Sequence, residues 1–358
     1  MSRRVTALMK VGLNALRLTG ADRALAPWSE GLGAIFMLHQ VQPSSPDDFS
    51  PNRILRITPE FLEGVIRHVI SRGYESLSLD EVAARLANPT RERRFVSFTL
   101  DDGYRDNFSI AYPIFKKYGV PFAIYVPADY ADGTGDLWWV VLEEALRRLP
   151  RATVTLGGAA QTFDLAASDD KWRAFEAIYW RLRAGDEAMA REIVGRLAIE
   201  AGIDSRAMTR DLIMNWDEIR ALAADPLVTI GAHTRRHFAL AKLATADMRE
   251  EIAASVARVE TELSRPCRHF SYPYGDEGSA GEREFAAAAE LGLATAVTTQ
   301  KGLVAVGSRS TALPRVTLNG DFQAQSYVGT LLTGTPFAIH RIATGGLVRA
   351  RATFAPAR

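Results

Sequence analysis

Short apolar runs alternate with stretches of helical periodicity along most of the chain. Residues 34–41 (AIFMLHQV) form an apolar run bounded by Gly33 and Pro43. Residues 58–72 open with Thr58 at a cap position and Pro59 at the first turn, then show helical spacing until Gly73. The segment 95–103 (FVSFTLDDG) reads as a strand that ends in a turn. A helix over about 108–118 leads through Gly119 to the apolar run 121–128. Further on come the runs 227–233, 268–275 and 294–299, with helical patterns over 245–264 and from Glu282. Alternation of this length predicts parallel strands in either an α/β barrel or a doubly wound sheet.

Two stretches depart from this rhythm. From about 133 to 216 the pattern is largely helical, with a hairpin-like ATVTLGGAAQTFDLA, and it carries Trp138, Trp139, Trp172 and Trp180. It predicts an inserted satellite core; the alternative is a lid or an aromatic wall for sugar stacking. At the start, Val5, Leu8, Met9, Leu13 and Leu16 follow helical spacing with basic residues between them. Such a helix either packs on the domain's own core or lies on a membrane surface; the first is the expected outcome.

Composition narrows the function classes. Across 358 residues, 43 Lys and Arg face 42 Asp and Glu, a net charge of +1 that excludes a strongly basic nucleic-acid binder. The single cysteine, Cys267, excludes an internal disulfide framework and a Cys-based zinc site. No apolar run reaches the length of a membrane span. The start lacks a signal-peptide h-region, so the expected location is cytoplasmic; under the membrane-surface alternative the N-terminal helix would lie at the inner membrane face. There is no G-x-S-x-G or Walker A motif, and Gly31-Leu32-Gly33 precedes a strand rather than following one.

The chemistry concentrates in Thr99-Leu100-Asp101-Asp102-Gly103 and His233-Thr234-Arg235-Arg236-His237. Both follow apolar runs, where α/β folds carry their reactive groups. Two histidines and a carboxylate make a ligand set for a catalytic divalent metal with an open position. The i, i+4 spacing of the histidines puts both imidazoles on one face of a helical turn. Adjacent Asp side chains on extended chain point different ways, so one can bind metal while its neighbour faces water.

With Ser271-Tyr272-Pro273-Tyr274-Gly275 as a third element in the same order, the chain resembles the polysaccharide deacetylases of the NodB-homology type, carbohydrate esterase family 4. The resemblance covers about residues 33–320, less the insertion. It implies an irregular (β/α)7-type barrel of parallel strands with a mostly helical insertion. The implied organisation is an N-terminal amphipathic segment (1–32), the deacetylase domain (33–320, insertion about 133–216) and a C-terminal tail (321–358). It implies a metal-dependent hydrolase that removes N-acetyl groups from N-acetylated amino sugars in a poly- or oligosaccharide and releases acetate. Asp102, His233 and His237 would hold the metal, zinc first and cobalt or nickel as substitutes, and Asp101 would be the general base. A backbone N–H near Tyr274 would stabilise the oxyanion.

Many members carry Arg at the first position of the third motif, where Ser271 stands here. The F-x-Y-P-Y-G form and Leu313-Pro314-Arg315 resemble a subgroup acting on exported or lipid-linked polysaccharides. Within it, Phe36-Met37-Leu38-His39 matches a strand ending in His, which makes His39 the expected general acid. Arg315 would replace the missing Arg and orient Asp101. The implied partner is an N-acetylated glycan, either free or lipid-linked, and no nucleic acid, with the N-terminal helix as the candidate for peripheral membrane contact. Two other readings stand beside this one: a hydrolase of another N-acyl or cyclic amide, and a metal- or sugar-binding scaffold with little turnover.

Overall fold

The computed structural model describes residues 3–343 apart from 45 and 91. Seven parallel strands form its centre: β1 (Gly33–Leu38), β2 (Phe95–Leu100), β3 (Phe122–Val126), β4 (Val228–Ala232), β5 (His269–Ser271), β6 (Thr295–Lys301) and β7 (Leu313–Thr317). Each pairs with its neighbours in sequence, and β1 pairs with both β2 and β7, which closes the barrel. The expected (β/α)7-type barrel is therefore present. Its irregularity lies where β5 meets β4 through the single pair Phe270–Ala232, and where the β6–β7 register shifts between Val297 and Lys301.

Side-chain alternation explains how the barrel carries its site. On β2, Val96, Phe98 and Leu100 face outward into the main core, while Phe95 belongs to a separate cluster with Ile35, Tyr125 and Leu313. Period two therefore sends Phe95, Ser97, Thr99 and Asp101 toward the barrel axis. The same parity on β7 turns Leu313 and Arg315 inward. Outside, Phe98 and Phe122 pack on Phe115 of the helix Tyr112–Tyr118, with ring centroids 4.4 Å apart at the closer pair, and Phe36 packs on Phe98. Each such buried aromatic contributes roughly 1.5–3 kcal/mol.

Local signals end the elements where the sequence suggests. Helix α3 (Pro59–Ser71) starts with Thr58 Oγ1 accepting the Phe61 N–H at 3.1 Å and gives way to Gly73 at φ 74°. The N-terminal segment is two helices, α1 (Arg3–Thr19) and α2 (Ala21–Ser29), separated by left-handed Gly20. They dock on helix α8 (Gln325–Leu332): Leu13 is buried, Asn14 meets the Tyr327 hydroxyl, and buried Asp22 accepts from Thr330. Val328 and Leu332 of α8 lie in the main core. Packing thus continues across position 320, so the described part of 321–358 belongs to the barrel rather than forming a tail. Residues 344–358 of that segment lie outside the described residues.

Between β3 and β4 the chain builds α4 (Trp138–Arg148), an antiparallel hairpin (Arg151–Leu156 with Ala159–Asp164), α5 (Ser168–Ala184) and α6 (Glu187–Glu200). Leu142, Leu146, Ile178, Leu182, Val194 and Leu197 bury a second core. That core also takes in Phe49, Tyr104 and, at its edge, Tyr274 of the barrel mouth. The insertion therefore sits directly on the C-terminal end of the strands.

Candidate active site

Every residue expected from the sequence to act in catalysis or hold the metal lies toward the C-terminal mouth of the barrel. His39 follows β1, Asp101 and Asp102 follow β2, His233 follows β4, Tyr274 follows β5 and Arg315 is on β7. A cleft of about 760 Å³ is lined by His39, Asp101, Asp102, His233, His237 and Tyr274. Five non-glycine residues among those described have positive φ, and four of them are Asp102, Thr234, His237 and Tyr274. Backbone strain is therefore concentrated here, as at sites whose geometry is over-determined.

Asp102, His233 and His237 bring one donor atom each to within 4.8 Å of one another, and all three are buried. His233 Nδ1 lies 2.7 Å from the Ser271 carbonyl oxygen, so it carries the proton and donates it. Its Nε2 is turned to Asp102, 3.5 Å from Oδ1, while His237 Nε2 is 3.2 Å from the same oxygen. Asp102 Oδ1 is buried with no hydrogen bond. These three donors converge in a buried space, and a carboxylate with two imidazoles is a set that suits a divalent transition metal. Burial alone would raise the Asp102 carboxyl, but contacts with the two imidazoles hold it well below the usual carboxylate range. Burial pushes His237 below the ordinary imidazole value, which favours the neutral, ligating form.

The two histidines converge by a different route from the expected helical turn. Residues 233–239 form an irregular loop. Thr234 and His237 adopt left-handed conformations, and Thr234 Oγ1 accepts the His237 N–H at 2.9 Å. Buried Glu251, on helix α7 (Thr245–Leu263), accepts the N–H groups of Arg235 and Arg236 at 3.1 and 2.9 Å. Arg191 of α6 donates to the His237 carbonyl at 3.1 Å. Side-chain clamps from two helices thus replace helical hydrogen bonding.

Asp101 is gripped by Arg315 through two parallel bonds of 2.8 and 2.7 Å, with both side chains buried. Arg315 also donates to Thr99 Oγ1, Ser271 Oγ and the Thr298 carbonyl oxygen, so all five of its N–H groups are used. Ser271, which stands where relatives carry Arg, is one of the acceptors. Burial works to raise the Asp101 carboxyl, but the Arg315 charge and hydrogen bonds, with His233 and His39, keep it below its ordinary value. Asp101 is therefore ionised and held in one orientation.

Tyr274 packs its ring 4.8 Å from that of His237 and under the Arg183 guanidinium, while its hydroxyl accepts from Trp138 Nε1 at 2.9 Å. Its carbonyl accepts from Thr299, and its backbone N–H meets no acceptor among the described residues. His39 borders the cleft, with its carbonyl fixed by Asn107 Nδ2 at 2.7 Å. His68, Cys267 and His269 lie outside the cleft lining. His269 bonds Thr295, and burial pushes the Cys267 thiol up to about 12.

Some of the site is invisible to sequence reasoning. Tyr130 and Trp139 pack against His237 at 5.9 and 4.9 Å, and Trp139 Nε1 donates to the Tyr104 hydroxyl. The insertion is both a satellite core and a wall: Trp172, Tyr179 and Trp180 line the cleft, and α1 closes another side with Thr6, Ala7 and Lys10. The paired Trp138-Trp139 at the head of an amphipathic helix was the one available signal.

A family model described as polysaccharide deacetylase matches residues 187–296. This span holds His233, His237 and Tyr274, and stops short of Asp101 and Asp102 on one side and Arg315 on the other. YxkH of Bacillus subtilis, named for the same family, is 32% identical over 78 residues, 22% of this chain and 28% of that protein's length. Among solved structures, the Streptococcus pyogenes deacetylase PplD, in complex with acetate, aligns over 84% of this chain and 97% of its own at 16% identity and a TM-score of 0.57. IcaB from Ammonifex degensii aligns over the same shares at 17% identity and a TM-score of 0.53. At these identities the likeness is one of fold.

Proposed function

We propose that the chain is a polysaccharide deacetylase, in line with the family model and the relative it matches, and that it hydrolyses the N-acetyl groups of an amino sugar within a poly- or oligosaccharide, releasing acetate. One observation carries the proposal: an ionised carboxylate, Asp101, fixed by Arg315 directly beside the buried Asp102–His233–His237 donor set. A pure binding site has no use for a second, separately oriented carboxylate.

Asp102, His233 and His237 would hold a divalent cation, with zinc favoured by the donor set. Such an ion supplies Lewis-acid polarisation of the acyl oxygen and acidifies water. Asp101 takes a proton from the attacking water, and Arg315 keeps its acceptor lone pairs aimed at the cleft. The Tyr274 N–H donates to the acyl oxygen as charge develops there. His39 delivers a proton to the departing amine. Trp172, Tyr179 and Trp180 offer flat apolar area against which sugar rings stack.

We further propose a lipid-linked glycan as substrate, with the protein held peripherally at the membrane through α1. Leu8, Val11 and Leu18 are 72, 64 and 75% exposed on one side of this helix, and Arg3–Thr19 contains no acidic residue. No helix among the described residues is long and apolar enough to cross a membrane.

The test compares wild type with Asp102→Ala, measuring bound metal and acetate release from N-acetylglucosamine oligomers. About one ion per chain and acetate release, both lost in the variant, are expected. Metal without acetate would redirect the reading to another N-acyl amide. A folded wild type that binds no metal would overturn it.

A further inference from the structure

A second cavity, of about 530 Å³, lies at the opposite end of the barrel. Its walls are the end of α1, the start of α2, the end of α3, the residue preceding β2 and one side of α8. Four arginines line it, Arg17, Arg23, Arg72 and Arg94, together with His68. Arg94 alone has a carboxylate partner, Glu30 at 3.0 Å; its Nε is buried without an acceptor. No ion pair among the described residues involves Arg17, Arg23 or Arg72. The single acid in the wall, Asp22, already accepts from the Arg23 N–H at 2.8 Å and Thr330 Oγ1 at 3.0 Å. Burial, then Arg72, depresses the His68 imidazole, so it adds a neutral polar group rather than another charge.

Like charges gathered around a concave space repel one another, and the arrangement is relieved when an anion enters. Guanidinium forks match the paired oxygens of a phosphoryl group, each fork donating two bonds. We propose that this cavity is a binding site for a phosphoryl group, held by Arg17, Arg23, Arg72 and Arg94. Two sources share that chemistry: a lipid headgroup and a soluble phosphorylated ligand. Exposed Leu18 and Leu25 flank the arginines and supply apolar contact for an acyl chain. The site is separate from the catalytic cleft and does not depend on what that cleft hydrolyses. One helix joins the two: α1 lines the cleft with Lys10 and the arginine cavity with Arg17.

The experiment uses the full chain, as wild type, Arg17→Gln/Arg72→Gln, and Arg151→Gln/Arg206→Gln as a control with the same charge loss outside the cavity. Inorganic phosphate is titrated against chloride at matched ionic strength, and vesicles of phosphatidylcholine with and without phosphatidylglycerol are tested for retention. Metal-site binding of phosphate is common to all three proteins and cancels. The cavity variant should bind about tenfold more weakly or worse in at least one arm, with acetate release unchanged and the control like wild type. A loss in the vesicle arm identifies a lipid headgroup; a loss with phosphate alone identifies a soluble ligand. Equal behaviour of wild type and cavity variant in both arms, or an equal loss in the control, overturns the site.

Discussion

Replacing Arg315 tests whether the base is positioned or merely present. The guanidinium is fully buried, the Asp101 side chain is 4% exposed, and two bonds of 2.8 and 2.7 Å join them. Arg315→Gln leaves Asp101 buried without a cation, a change that typically costs about 3–5 kcal/mol. That is a large share of a typical stability of about 5–15 kcal/mol. Arg315→Lys is therefore the sharper probe. It keeps the charge but replaces five fixed donors by three on a flexible stem, so the two-bond grip on Asp101 is lost along with contacts to Thr99, Ser271 or Thr298. General-base catalysis is worth about 10²–10⁴-fold, and a correctly charged but loosely aimed base should forfeit about 10–100-fold in kcat. KM should move little, because Arg315 is fully buried behind Asp101 and is not among the residues lining the cleft. Acetate release measured on protein of verified metal content separates these effects. A folded, metal-loaded Arg315→Lys with kcat within about twofold of wild type would refute the positioning role.

Other predictions follow from the same geometry. His39→Ala should keep its metal while acetate release falls by about 10²-fold or more; near-normal turnover would remove His39 from the reaction. His269 is a stability group rather than a catalytic one. Burial depresses its imidazole to about 4, against an ordinary value near 6.5. The unfolded chain therefore binds the extra proton first, so this contribution is present above about pH 6.5 and lost as pH falls toward about 4. Chemical denaturation at neutral and mildly acidic pH should show a smaller decline in His269→Asn than in wild type; equal declines would contradict the assignment.

How much of this was legible in the sequence depended on how local each cause is. Apolar runs flanked by turn residues located the strands, because burial on both faces of a parallel strand leaves a mark in consecutive residues. The Asp-Asp and His-x-x-x-His elements were visible for the same reason, being short and attached to strand ends. The conformation between His233 and His237 was not, because it depends on Glu251, whose carboxylate arrives from a helix more than ten residues later. Spacing alone suggested a helical turn, and tertiary clamps prevailed. Tyr130 gave no signal in the sequence, and the Trp138-Trp139 pair pointed to a satellite core or an aromatic wall without revealing that Trp139 lies against His237. The boundary at 320 failed similarly: α8 is short, and only its contacts with α1 and α3 make it part of the barrel. Arg315 sits 214 positions from Asp101 and could be tied to it only through resemblance.

The hydrogen bonds of Arg315 also bear on when the proposed activity can first appear during folding. They reach Thr99 and Asp101 at the end of β2, Ser271 on β5 and Thr298 on β6, while the residue itself belongs to the last strand. Thr298 lies 17 positions away, but Ser271 is 44 and Asp101 and Thr99 are 214 and 216 away, so no early, locally structured species can contain the whole arrangement. A chain synthesised through β6 would carry both histidines and both aspartates and still leave Asp101 without its cation. During refolding, acetate release should rise with the slowest structural phase, and activity would report ring closure more faithfully than helix content does.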